Sequence, residues 1–111
     1  MSNTNYIIAI VRVLEAPKQK FLRNNIVCTK FRVQLPQIRG SRIVNLIFWG
    51  NLADDVLQFY MTNDYIIIEG YISLKMEKSL KLNNLILNKL EITVLRIYPF
   101  LLNYNRSNTE I

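Results

Sequence analysis

Residues 43–56, with the sequence IVNLIFWGNLADDV, contain two kinds of regular structure and a break between them. From Ile43 to Trp49 nearly every residue is apolar, β-branched or aromatic, which predicts a strand buried on at least one side. After Gly50 the apolar residues recur at the spacing of one helix face, namely Leu52, Ala53, Val56, Leu57 and Tyr60. The stretch therefore predicts a strand, a glycine break and a short helix over about residues 52–61.

The start of this helix has residue types that favour a helix N-terminus. Asn51 is suited to the N-cap, because its side chain can accept a hydrogen bond from a free backbone N–H group. We place Asp54 and Asp55 in the first turn, where carboxylates interact favourably with the helix dipole. The two carboxylates could also pass for a catalytic pair, but adjacent side chains on a helix diverge. We interpret them as helix-end charges.

The composition predicts one packed domain. The chain has 111 residues, of which 50% are hydrophobic and 20% charged, so a core can form and global disorder is not expected. No apolar run approaches the roughly 20 residues that cross a bilayer. The first residues resemble neither a signal nor a transit peptide, so we expect the protein to act where it is made, without membrane attachment. With one cysteine and no histidine, we expect no disulfide framework, no zinc site and no cofactor.

The chain carries an excess of positive charge. Its formal net charge is +6 and its pI is about 9.7. Such an excess attracts polyanions, including nucleic acids. The alternative is that these charges are merely solvated on a small protein.

The remaining sequence predicts four further strands. They span residues 5–14, 26–35, 65–75 and 90–98, with residues 18–22 as a short edge continuation of the first. Residues 76–89 are interpreted as a polar, basic connection with a hairpin tip at Asn83–Asn84. Pro99 is expected to end the last strand. We therefore expect a folded domain over residues 1–99 and a short flexible tail over residues 100–111.

Alternation along the strands predicts which side chains face the core. In the second strand, Phe31, Val33 and Leu35 alternate with Lys30, Arg32 and Gln34. In the third strand, Val44, Leu46 and Phe48 alternate with Ile43, Asn45, Ile47 and Trp49. The apolar set of each strand is assigned to the core. In the fourth strand, Gly70 suggests a bulge or bend of the kind that a small closed barrel requires.

Five strands with one helix between the third and fourth are the order of an OB-fold. The predicted fold class is therefore all-β with one short helix, as a five-stranded Greek-key barrel. In OB-folds the outward face of strands two and three commonly binds oligonucleotides. Here that face carries Lys30, Arg32, Asn45 and Trp49.

Two motifs resemble those of the bacterial single-stranded DNA-binding protein (SSB) family. The first is FWGNLA at residues 48–53, and the second is DYIIIEG at residues 64–70. Family members carry an aromatic–Gly–Lys/Asn–Leu–Ala strand end, then a helix, then Gly-Asp, an apolar run and Glu-Gly. The likeness is greatest to short cyanobacterial SSBs and to SSB-like proteins of red-algal-type plastids. It spans roughly residues 5–99, including EITVLRIYP at residues 91–99.

The resemblance implies an OB-fold that wraps single strands, usually as a homotetramer. By position, Trp49 matches a family aromatic on which a base stacks, whereas Ile43 stands where the family has a stacking tryptophan. Asn63–Asp64 replaces the usual Gly-Asp. The family's acidic Pro-Phe tip is missing, and this chain ends in TEI at residues 109–111. The resemblance therefore does not imply recruitment of replication partners through that tip.

Ten residues are candidates for nucleic-acid binding. They are Trp49, Arg32, Lys30, Asn45, Lys75, Tyr71, Arg39, Arg42, Lys78 and Lys81. Stacking on Trp49 would contribute about 1–3 kcal/mol per base, whereas the alternative is a tryptophan buried in the core or in a subunit contact. Tyr71 is either a second stacking platform or a packing residue between subunits. Phe21 could stack as well, but closing the barrel edge is the favoured role.

Three functions remain open from the sequence. The first is sequence-tolerant binding of single-stranded DNA in replication, recombination or repair, by a homotetramer or dimer in a plastid stroma or nucleoid, or in a bacterial-type cytoplasm. The second is an RNA-binding module, because stacking does not distinguish the sugars. The third is an OB-fold assembly subunit, primosome-like, without strong affinity for DNA.

Glu69 has no His, Lys or Cys placed to make it catalytic, and no nucleophile or P-loop motif is present. We expect neither an enzyme nor a small-molecule substrate.

Overall fold

A computed structural model of the chain describes residues 5–79 and 85–103, with residues 76–79 and 85–88 described by their backbone alone. The elements in chain order are β1 (Tyr6–Val13), β2 (Lys18–Phe21), a 3-10 turn (Arg23–Asn25), β3 (Val27–Pro36), β4 (Ser41–Trp49), α1 (Gly50–Phe59), β5 (Tyr65–Ser79) and β6 (Leu85–Leu101). β1 and β2 together occupy the span predicted for the first strand and its edge continuation.

The strands form one closed sheet in the order β1-β5-β6-β4-β3-β2. Neighbours pair antiparallel except β4 and β6, which run parallel where residues 45–47 lie beside residues 91–93. Residues 12–13 of β1 also pair with residues 33–34 of β3, and this contact closes the barrel. With α1 between β4 and β5, the architecture is the predicted all-β barrel with one helix.

The core fills the barrel and continues beneath α1. Val44, Leu46 and Phe48 of β4 are fully buried, as their alternation predicts. The rings of Phe31 and Phe48 stack with centroids 5.3 Å apart, a contact worth about 1 kcal/mol beyond burial. The helix contributes Ala53 and Val56, among other residues, to this cluster.

The helix starts earlier than the sequence predicts. It runs over Gly50–Phe59, with Trp49 in an extended conformation at the N-cap and no side-chain capping bond. The prediction of Asn51 as N-cap is therefore wrong, and Asp54 lies beyond the first turn. The reason is that Gly50, at φ +63°, turns the chain directly out of β4 into the helix. Within residues 5–79 and 85–103, no helix has the length and apolarity to cross a membrane.

The predicted connection over residues 76–89 is instead mostly strand. β5 extends to Ser79 and β6 begins at Leu85, and the two pair along this whole extension. Asn83 and Asn84, the predicted hairpin tip, lie outside the described residues. Pro99 does not end β6, which continues to Leu101, because a register shift at that end of the β5–β6 pair accommodates the proline.

The bulge predicted from Gly70 is confirmed. Glu69 pairs with Arg96 but Gly70 pairs with Val94, so Leu95 is an extra residue in β6. A Cβ atom at Gly70 would lie 2.0 Å from the Thr93 carbonyl oxygen. Glycine is therefore required here by the close approach of β6.

Asn63 and Asp64 hold the segment after α1 against the end of β1 on one side and the residues that follow β6 on the other. Asn63 has φ +72°, a conformation that asparagine tolerates better than most residues other than glycine. Its backbone N–H donates to the Val13 carbonyl at 2.8 Å. The fully buried Asp64 carboxylate accepts from the backbone N–H of Met61 at 2.9 Å and from that of Asn103.

Candidate nucleic-acid interface

The outward face of β3 and β4 presents the residues that alternate with the core set. The antiparallel register places Lys30 beside Ile47 and Arg32 beside Asn45. Paired residues on neighbouring strands share one face of a sheet. This face therefore combines cationic, amide and apolar side chains, as the sequence predicts.

Two further strands bring charges to the same face. Pairing of β4 with β6 places Glu91 beside Asn45, and pairing of β5 with β6 places Lys75 beside Lys89. Three adjoining depressions result on this surface. We name the surface the basic groove and define it by Lys20, Lys30, Arg32, Arg42, Ile43, Asn45, Trp49, Lys75, Lys89 and Glu91.

At one end of the basic groove, Trp49 borders a depression of about 400 Å³. Trp49 is 40% exposed, whereas Cys28 and Ile47, which line the same depression, are 1% and 5% exposed. The side chains of Lys20, Lys30, Lys75, Leu22 and Glu91 complete the lining. An exposed aromatic ring on an apolar floor with ammonium groups around it can accept a base by stacking and its phosphates by charge.

At the centre of the groove, a carboxylate lies among the lysines. Glu91 shares a depression with Lys20, Lys30, Lys75, Lys89 and Asn45. The Lys30 ammonium is 3.7 Å from a Glu91 carboxylate oxygen. The groove is therefore cationic overall, with one of its cations already paired to an internal anion.

Arg32 is also paired. The Glu15 carboxylate accepts hydrogen bonds from the Arg32 backbone N–H at 2.9 Å, from Nε at 3.2 Å and from Nη2 at 3.3 Å. Partial burial acts to raise the pKa of Glu15, but the bonds from the side chain and backbone of Arg32 outweigh it and lower the pKa. The sequence predicts Arg32 as a phosphate ligand, and the structure shows it engaged by a carboxylate.

The other end of the groove is lined by Ile43, Arg42 and Lys89, next to Arg32 and Asn45. Ile43 is 59% exposed and occupies the position where the resemblance places a stacking tryptophan in other SSBs. This end can therefore offer charge and an aliphatic surface but no aromatic platform from that position.

The remaining candidates lie outside the groove or beyond what the structure describes. Tyr71 contacts Tyr6 edge-to-face at 5.3 Å between centroids, on β5 next to β1. Arg39 is exposed in the β3–β4 turn. The backbone of Lys78 belongs to β5, and Lys81 lies outside the described residues.

Sequence reasoning did not select Lys20, Lys89 and Glu91 as site residues. The register partners of Lys20 and Lys89 are Cys28 and Lys75. The missing signal was strand continuity, because extending β5 and β6 into the predicted connection would have placed Lys89 on the groove face.

Phe21, predicted to close the barrel edge, is 75% exposed instead. It lies on the side of β2 opposite Lys20, with Gln19, which donates to Asp54 of α1 at 3.0 Å.

A second surface feature lies on the outward face of β1, β5 and β6. We name it the apolar face and define it by Tyr6, Ile8, Ile10, Ile67, Tyr71 and Tyr98. At its centre the Glu69 carboxylate accepts hydrogen bonds from the hydroxyls of Tyr6 at 3.1 Å and Tyr98 at 3.4 Å. Burial and the bond to Glu69 raise the pKa of the Tyr6 phenol. This face is an exposed apolar surface with a hydrogen-bonded polar centre.

Among residues 5–79 and 85–103, no group of three or more His, Cys, Asp or Glu side chains is arranged to hold a metal ion.

The chain is similar to a known protein over most of its length. No protein-family model matches the chain. A protein of Trieres chinensis named "Putative single-stranded DNA-binding protein ycf41" is 39% identical over 102 residues, covering 88% of this chain and 90% of that protein. The chain belongs to the ycf41 family of SSB proteins.

Solved structures place the ycf41-family chain among SSB folds. The SSB domain of a Synechococcus sp. protein superposes with a TM-score of 0.68 at 22% identity, covering 88% of this chain and 98% of that chain. The second single-stranded DNA-binding protein, SSBb, of Mycobacterium smegmatis gives 0.63 at 19% identity, covering 86% and 87%. Both confirm the predicted fold.

Proposed function

We propose that the protein binds single-stranded DNA in the basic groove with little dependence on base sequence, and so supports DNA replication, recombination or repair. Binding rather than catalysis is the proposed activity. The observation that carries the proposal is the half-exposed Trp49 indole on an apolar floor, with Lys20, Lys30 and Lys75 around it. The ycf41 relative, named as a single-stranded DNA-binding protein, supports it.

In the proposed mechanism, one base stacks on Trp49 and the strand then follows β4 toward Ile43. These residues are six positions apart, which is about 20 Å along a strand. Phosphates along this path would meet the ammonium groups of Lys20, Lys30, Lys75 and Lys89 and the guanidinium of Arg42. Neutralising them releases counterions, so affinity falls as salt rises.

The single tryptophan provides the direct test. Titration with oligo-dT at low and moderate salt should quench Trp49 fluorescence strongly, and added salt should reverse the quenching. Titration with oligo-U of equal length compares RNA with DNA. Tighter binding of oligo-U would replace the DNA proposal with the RNA-binding function. No binding of either strand at low salt would contradict both and favour the assembly-subunit function.

Trp49→Ala should weaken oligo-dT binding about 5- to 150-fold, because a stacked base loses about 1–3 kcal/mol. Trp49→Phe should retain most of the affinity, since the smaller ring still stacks. The matched control is Phe21→Ala, which removes an exposed aromatic ring from the side of β2 away from the groove and should leave affinity unchanged. Binding is measured by anisotropy of a labelled oligonucleotide. Equal effects of Trp49→Ala and Phe21→Ala would place the stacked base elsewhere.

We further propose that a second copy of the chain covers the apolar face, giving a dimer or a tetramer. Ile8 is 63% exposed on this face and Ile10 is 42% exposed, and with the neighbouring apolar side chains they form a contiguous exposed patch of the kind that marks an interaction surface. Residues 6–11 of β1 pair only with β5 in the described chain, so their other edge can receive a strand.

Replacing Ile8 by Lys should dissociate the assembly, because it introduces a charge into an apolar contact. Sedimentation equilibrium should then give a mass near that of one chain, 13.1 kDa. Ile38→Lys is the control, since Ile38 is fully exposed in the β3–β4 turn. A wild-type protein that already sediments as a monomer would contradict the proposed assembly.

The proposed location is the plastid stroma or nucleoid. The support is the ycf41 name of the relative, which is a name of plastid-encoded reading frames. Imaging of the tagged protein in its own cells tests the location.

A further inference from the structure

We propose that Glu15 and Glu91 act as internal competitors for the phosphates of a bound strand and so limit the affinity of the basic groove. The inference rests on the proposed function and concerns two residues that the sequence analysis did not assign to the site. Each carboxylate holds a cation that would otherwise be offered to DNA. The two cations, Lys30 and Arg32, project from alternate positions of β3 onto the same face.

Glu91 occupies the centre of the groove. Its side chain is only 17% exposed, and it shares one depression with the four lysines of the groove. A phosphate approaching Lys30 must therefore displace a carboxylate that is already 3.7 Å from the ammonium. It also enters the field of a negative charge that has little water around it to screen it.

Glu15 acts on Arg32 in a different geometry. Glu15 lies in the β1–β2 connection, and its carboxylate accepts hydrogen bonds from both the guanidinium and the backbone N–H group of Arg32. A carboxylate in this arrangement mimics the two-point contact that guanidinium makes with a phosphate. The arginine side chain is nevertheless 55% exposed, so a strand can still reach it after exchange of the partner.

Paired cations contribute less to the salt dependence of binding. A free ammonium or guanidinium group that neutralises a phosphate adds about 0.7 to the slope of log affinity against log salt for single strands. A cation already neutralised by a carboxylate adds less, because the carboxylate that it leaves attracts a cation from solution while the strand releases one. Removing either carboxylate should therefore raise both the affinity at low salt and the salt slope. It should also lower the stability of the free protein, since the cations then repel one another.

The test compares Glu15→Gln, Glu91→Gln and the double variant with the wild type. Oligo-dT binding is measured by anisotropy between about 50 and about 200 mM salt, and thermal unfolding is followed without DNA. We expect each single variant to bind about fivefold more tightly at the low salt, with a salt slope steeper by about 0.7 and a lower unfolding midpoint. The double variant should combine these effects.

Asp55→Asn is the control, because it removes the same formal charge from an exposed position on α1 and lines none of the groove. Its salt slope should equal that of the wild type. If the glutamine variants lose stability and bind equally or more weakly, the carboxylates only position the cations, and the inference is overturned. If the wild type does not bind oligo-dT, the proposed function fails first, which distinguishes the two failures.

Discussion

Gly70→Ala is expected to destabilise the barrel by about 3 kcal/mol. The new methyl group would lie 2.0 Å from the Thr93 carbonyl oxygen and 2.9 Å from the Thr93 carbonyl carbon. Both atoms belong to the backbone of β6, so no side-chain rotation can relieve the overlap. β6 would have to move at the bulge formed by Leu95. This movement would disturb the register that positions Arg96 beside Glu69.

Urea unfolding measures this loss, and Gly40→Ala is the matched control. Gly40 has φ +79°, and nothing lies within 4 Å of a Cβ atom built there. Its replacement should cost only the strain of a left-handed alanine, about 1 kcal/mol. If the two variants lose equal stability, close packing against β6 is not what requires Gly70.

Asp64→Asn should also cost about 3 kcal/mol. The carboxylate is fully buried, and its two oxygens accept from two different backbone N–H groups, those of Met61 and Asn103. An amide supplies only one oxygen, so its NH₂ group would face a backbone donor. The variant therefore breaks one charge-assisted bond and leaves a buried donor without an acceptor.

The measurement is again urea unfolding, with Asp55→Asn as the control for loss of one carboxylate. Asp55 is exposed on α1, so its change should stay within about 0.5 kcal/mol. Because Asp64 joins the segment after α1 to the end of β6, hydrogen exchange of the Asn103 amide should accelerate in the Asp64 variant. Unchanged exchange there would show that the segment is held by other contacts.

Strand faces could be predicted from the sequence because alternation is a local property. Val44, Leu46 and Phe48 are buried, whereas Ile43 and Trp49 on the other side of β4 are exposed, as expected. The bulge could also be predicted from Gly70, since a glycine inside an apolar strand often marks a bulge, a bend or a close approach of another backbone. These features depend on neighbours one or two residues apart.

The β5–β6 extension could not be predicted in the same way. Residues 76–89 lack the apolar alternation that identifies a strand in a sequence, so periodicity predicted a connection where the structure has two paired strands. Lys89 was left out of the site for that reason. The start of α1 was misjudged for another reason, since it depends on the positive φ of Gly50 and not on a polar capping side chain.

The pairing of charges was also invisible in the sequence. Alternation predicts that Lys30 and Arg32 face outward, and they do. Their partners, however, are distant in the sequence. Glu91 of β6 pairs with Lys30, and Glu15 of the β1–β2 connection pairs with Arg32, and both pairs form only in the folded barrel. A count of cations thus overestimated the charge that the groove can offer.

The short parallel pairing of β4 with β6 has a consequence for synthesis on the ribosome. β4 meets its β6 partner only after residues 91–93 have been translated, and contacts between distant parts of a chain form slowly. The same late segment brings Glu91 and Lys89 to the groove. A nascent chain therefore completes its barrel and its basic groove at the same stage, and a chain whose synthesis stops before residue 89 lacks both the β4–β6 pairing and the Lys89 and Glu91 side chains of the groove.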